Sequence, residues 1–380
     1  MCVYNSERVI LLRQIERMTQ KRLSEQTGIS QATLSKIENR LVEFTKPLAV
    51  KMSMAIDYPL TFFEGQSGPL PVTSLTYRHT SSTSVGELNS IAAEYSMLCD
   101  VVDNLSARLQ LQPKTLWLDE FAVHTKPTDG EIERLAEKTR GKLGIPASGS
   151  IGNLTRTLER VGIIIAPIHG LASKLKALLN SDGVTMPSRN KWSMPVIGYS
   201  QRDNTGDRLR FTIAHELGHL ILHRYRKPIA YRDMEREAHR FAGALLMPQQ
   251  DAKILLKGYF MLSDLMKLKA TWGMSIASIV SRASNLGLID ANRTRSLQIQ
   301  INSRGWRKQE PVHVGDEHPL LLRQIIQAEY GAGESKREID SFAAEKGLNV
   351  PFRYLDQWSD GLVEAGSGFG FQSRRFKDQR

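Results

Sequence analysis

Apolar residues recur at helical spacing along most of this 380-residue chain, and only short stretches read as strands. Between 19 and 40, Thr19 and Ser30 stand where two helices need N-caps, and Gly28 stands where a left-handed turn residue is needed. Leu23, Ile29, Leu34 and Ile37 then form one inward seam between the two helices. From 85 to 110, Leu88, Ile91, Ala92, Tyr95, Leu98, Val102 and Leu105 mark a long helix, a core element or a dimer seam. Helices follow at 129–143 and 151–160, then strands at 161–168 and 195–200. A buried helix at 211–223 and a second at 231–248, stopped by Pro248, come next. An apolar stripe over 262–272 and another helix over 275–283 are separated by Gly273, and 320–358 is helical again. The pattern predicts a mostly α chain with a small β-sheet, an α+β class.

Gly65, Gly68, Pro69 and Pro71 mark the first clear linker, and the tail from Gly366 is rich in Gly, Ser and Arg. Five regions result: 1–66, a helical linker or dimerisation segment at 67–127, then 128–250, a helical extension at 251–311, and a helical C-terminal region at 312–380 with a mobile tail. The formal net charge of +11 suits an acidic partner such as nucleic acid. Residues 1–66, however, carry nine Lys or Arg against seven Asp or Glu, an excess of only two. Cys2 and Cys99 fit neither a disulfide framework nor a metal finger. No apolar run approaches membrane length and no secretory pattern opens the chain, so a cytoplasmic protein without membrane contact is expected.

The chemistry concentrates in His215-Glu216-Leu217-Gly218-His219. On a helix, residues four apart share a face, so His215 and His219 can offer two imidazoles to one zinc ion, with Glu216 placed to act as general base. A third histidine on the same segment would need Gly and His where Leu222 and Tyr225 stand, so the third ligand lies further along. On the helix that follows, Glu235 precedes Ala238 by three and Ala242 by seven, and so shares their inward face. Glu237 points elsewhere and is the reserve. His223 reads as a packing neighbour of the site, and His239 as a surface or groove residue. Tyr225, His239 and Arg208 are candidates for stabilising an oxyanion. The strand at 195–200 is the candidate edge for pairing with an extended substrate.

The run from 208 to 248 resembles the ImmA/IrrE family of zinc metallopeptidases. That family pairs such a helix with a later Glu235-x-x-Ala238-x-x-Phe241-Ala242 helix ending Leu245-Leu246-Met247-Pro248. The resemblance implies a zincin-like metallopeptidase core. It also implies zinc on His215, His219 and Glu235, Glu216 as base, and repressors with a helix-turn-helix as substrates. Residues 19–40 resemble the XRE/Cro-type helix-turn-helix, implying a five-helix DNA-binding domain. Gln31, Thr33, Lys36 and Asn39, together with Gln20, would then contact a double-stranded operator, and a homodimer is the default. Arg40 and the apolar Leu41 and Val42 depart from that family, which often has Gly at the Arg40 place.

A regulator fused to a zinc endopeptidase that cleaves a repressor-type protein, or itself near 60–80, is therefore expected. The competing readings are a repressor or antitoxin-like regulator whose zincin part only senses, and a peptidase whose first domain binds protein. Residues 304–311, around Trp306, resemble a stretch of fused regulator–peptidases and read as a turn anchoring Trp306.

Overall fold

The computed structural model describes residues 4–76, 84–112, 114–169, 182–190, 192–201, 205–226, 230–333 and 338–360. The first region holds α1 (Glu7–Ile15), α2 (Gln20–Thr27), α3 (Gln31–Glu38), α4 (Lys46–Ile56) and a 3-10 helix at Leu60–Glu64, which together make the five expected helices. Thr19 caps α2 by accepting from Arg22 N at 3.2 Å, and Ser30 caps α3 by accepting from Thr33 N at 3.1 Å. Leu23, Ile29, Leu34 and Ile37 are buried as expected. Arg40 adopts φ 57°, the left-handed region where a side chain is strained. This is the physical reason for a glycine at that place.

Next comes α5 (Val85–Arg108), opened by a Ser84/Glu87 capping box. Most of its residues from Ser90 to Leu105 are buried, and it packs against α1, α14 (Leu321–Tyr330) and α15 (Ser341–Leu348). The apolar stripe is thus covered within the chain and is core. The C-terminal region is not uniformly helical. After α14, a two-stranded hairpin of β4 (Gly331–Ala332) and β5 (Glu338–Ile339) precedes α15 and α16 (Phe352–Trp358). The Tyr58 and Tyr354 hydroxyls both donate to Glu16 Oε1, at 2.7 and 3.0 Å, and join this region to the first one. Residues 361–380, including the tail from Gly366, lie outside the described residues.

The sheet has the order β1-β3-β2, with β1 (Ile164–Pro167) parallel to β3 (Val196–Tyr199) and β2 (Gly183–Thr185) antiparallel to it. The expected edge at 195–200 is therefore corrected: β3 is the central strand, hydrogen-bonded on both sides. Successive strand residues face opposite ways. Ile164, Ala166 and Val196 join a core with α1–α5 and α14–α16, while Ile163, Ile165, Ile197 and Tyr199 join a second core.

That second core contains α6 (Asp129–Lys142), α7 (Leu154–Arg160), α8 (Gly206–Leu222) and α9 (Tyr231–Leu246), followed by α10 (Gln249–Leu255), α11 (Leu262–Trp272), α12 (Ile276–Asn285) and α13 (Ala291–Ser303). Trp306 packs against it, partly buried. Glu310 accepts from Ile276 N at the start of α12, at 3.0 Å, and pairs with Lys269, which pairs with Asp207 at 2.6 Å. Glu317 accepts from Leu154 N and Thr155 N and pairs with Arg210. The stretch after α13 thus ties the extension to the first turn of α7 and to α8. Among the described residues no helix is long and apolar enough to cross a membrane.

Candidate metal centre and nucleic-acid interface

α8 carries His215 and His219 one turn apart, with their Nε2 atoms 3.1 Å from each other. α9 crosses it closely at Gly218, where a Cβ would lie 3.1–3.2 Å from Phe241 and the Ala238 backbone. Any larger residue would push the two helices apart. The close crossing brings the Glu235 carboxylate to 3.5 Å from His215 Nε2 and 3.4 Å from His219 Nε2. Two imidazole nitrogens and a carboxylate oxygen, all within 4.8 Å of one another, form a donor set suited to zinc. Burial alone would raise the Glu235 carboxyl, but the hydrogen bonds and charges of His215 and His219 outweigh it and hold it well below the usual range. Burial lowers His219, which keeps its ring neutral and able to ligate.

Glu237 points away from the cluster, as its place on the helix suggests, but into the protein. It is more buried than Glu235, and it accepts from Arg226 Nη1 at 2.6 Å and lies 3.2 Å from His223 Nε2. His223 Nδ1 is 2.8 Å from His219 Nδ1. With His219 Nε2 turned to the cluster, its Nδ1–H donates to His223, whose Nε2–H donates to Glu237. Arg226, Glu237 and His223 thus fix the tautomer and orientation of His219. This accounts for the histidine that repeats the four-residue spacing.

Glu216 is 2 % exposed. β2 runs over it, since a Cβ on Gly183 would lie 2.7 Å from Glu216 Oε1. Thr76 Oγ1 is 3.5 Å from its Oε2. Desolvation, reinforced by the Glu235 charge, pushes the Glu216 carboxyl well above its ordinary value, and Thr76 opposes that only in part. A carboxyl raised toward neutrality suits proton transfer in both directions.

Of the oxyanion candidates, His239 shares a cavity of about 970 Å³ with His215 and Glu235, into which Lys126, Tyr231, Arg232 and Arg236 also project. Tyr225 instead donates to Asp119 Oδ1 at 2.5 Å, and Arg208 lies 3.7 Å from Asp182. Sequence reasoning missed Thr76, Gly183 and the Arg226–Glu237 pair. Only the last had a signal, two charged residues flanking the start of α9.

Residues 171–284 match the family model of peptidase M78, the IrrE N-terminal-like domain, and residues 10–63 match that of a helix-turn-helix. The chain is a fusion of these two domain types. No curated protein matches it. The IrrE-like span contains β2, β3, α8 and α9, and so includes His215, Glu216, His219 and Glu235. In the helix-turn-helix, Gln31 and Lys36 are exposed on α3 and Asn39 is exposed just after it, while Thr33 is half-buried with its hydroxyl 2.8 Å from Ser30 Oγ. Gln20 Nε2 donates to Glu38 Oε2 at 2.9 Å, and Arg13 grips the same carboxylate, so Gln20 also ties α2 to α3. The match supports DNA binding and, with the IrrE-like part, a DNA-binding regulator carrying a protease-like module.

Proposed function

We propose that the IrrE-like part is a zinc-dependent endopeptidase, and that its substrate is a repressor-type protein or the chain itself. In this reading 1–66 binds an operator as part of a homodimer, through Gln20, Gln31, Thr33, Lys36 and Asn39. Residues 128–250 form the peptidase core and 251–311 extend it. The observation that carries the reading is the convergence of His215, His219 and Glu235 beside a buried Glu216. Zinc held by these three residues supplies polarisation of a peptide carbonyl and a lowered pKa for a water. Glu216 takes the proton of the attacking water and passes it to the leaving amine. His223, Glu237 and Arg226 hold the His219 ring in place. His239, which shares the cavity, is the best placed of the three candidates to meet the developing oxyanion.

Metal analysis tests the first half of this reading. The parent chain should carry about one zinc, as expected for a single three-ligand site, and His219→Ala should carry almost none. Glu216→Gln should keep zinc and operator binding and lose cleavage of a helix-turn-helix repressor by about 100-fold or more. The cover over Glu216 favours a second reading, a regulator in which the zincin fold senses without cutting. Unchanged regulation in Glu216→Gln would select it.

A further inference from the structure

The outer edge of β2 is the strand edge beside Glu216, and the chain's own linker lies on it. Thr76 and Thr185 pair antiparallel: Thr76 N donates to Thr185 O at 2.8 Å, and Thr185 N donates to Thr76 O at 3.3 Å. The Thr76 hydroxyl adds a bond to Thr185 O at 3.0 Å and faces Glu216 Oε2 at 3.5 Å. Leu75 is extended, with φ −100° and ψ 145°, and its side chain is buried in the first core. An open strand edge is a template for one more extended segment. Beside a general base, that template is where a peptide to be hydrolysed would align. Here the place is filled from a position 140 residues away in sequence.

We infer that Leu75 and Thr76 are a resident occupant of the substrate-strand site, which an incoming extended peptide must displace before Glu216 can act. The inference rests on the peptidase reading above. It makes the connection between the DNA-binding part and the peptidase a self-blocking strand.

The test uses the zinc-loaded full chain and two variants. Thr76→Pro removes both the N–H and the hydroxyl, and the extended Leu75 before it is compatible with proline. Thr76→Val removes the hydroxyl alone. Amide hydrogen exchange at Thr185 should be protected in the parent, nearly as protected in Thr76→Val, and ~10-fold or more faster in Thr76→Pro. Carbodiimide-driven coupling of glycinamide to Glu216, read by mass spectrometry, should rise in the same order. Free exchange at Thr185 in the parent, or equal exchange in all three chains, overturns the inference. A parent chain that binds no zinc overturns the peptidase reading instead, and the exchange result is independent of that.

Discussion

Ile164, Ala166 and Val196 face a core assembled from α1–α5 and α14–α16, whereas Ile165 and Ile197 on the same strands face one built by residues 118–301. The first core joins segments about 300 residues apart and closes largely with apolar and aromatic side chains, such as Trp358, Phe62, Phe63 and Tyr95. The second is made from neighbouring segments and is laced with buried charges: Lys269 with Asp207 and Glu310, Arg210 with Glu317, Arg282 with Glu133. The side with the His215, His219 and Glu235 cluster thus fixes its helices by directional pairs, which suits a donor set that must converge within ångströms. The side with the helix-turn-helix relies more on apolar burial, and its pairs, such as Arg8 with Asp100 and Arg13 with Glu38, each keep one partner partly exposed.

Three substitutions probe that contrast. Trp358→Ala should have the largest effect. Trp358 is fully buried on the first side, and its loss should cost about 4 kcal/mol in denaturant unfolding. If the two sides unfold separately, the curve splits and only the earlier transition moves. If one transition shifts as a whole, the shared sheet makes them a single cooperative unit. Lys269→Met acts on the other side, leaving Asp207 and Glu310 buried without their cation, and should cost about 3 kcal/mol. Its transition should be the one that Trp358→Ala leaves in place. Arg40→Gly is the smallest. Left-handed strain of about 1–2 kcal/mol is relieved. Against that stand roughly 0.5–1 kcal/mol of added chain entropy and a surface pair with Glu7 worth little. A net gain of about 0.5 kcal/mol, confined to the first side, should appear as a small rise in its midpoint.

Much of this was legible in the sequence because it is local. The four-residue spacing of His215 and His219, the caps at Thr19 and Ser30, and the stripe on α5 each follow from helix geometry alone. Glu235 was reachable because Ala238 and Ala242 define the inward face of α9. The same periodicity turns Glu237 away from the cluster, as found, but could not foresee that Arg226 and His223 make a polar pocket for it inside the protein. β2 is three residues long, too short to show alternation, so by pattern alone the more apolar stretch at 195–200 reads as the edge. The pairing of Thr76 with Thr185, the hold of Asp119 on Tyr225, and the packing of α14–α16 against α5 are non-local. No spacing rule reaches across 100 residues or more.

The closure of the first core by α14–α16 also sets an order of events during synthesis. A ribosome delivers α1–α5 long before the helices that cover α5, so that surface waits, uncovered, while the segment from α6 to α13 is made. The part translated first is the last to be completed, and a nascent chain stalled before residue 320 would present α5 to chaperones.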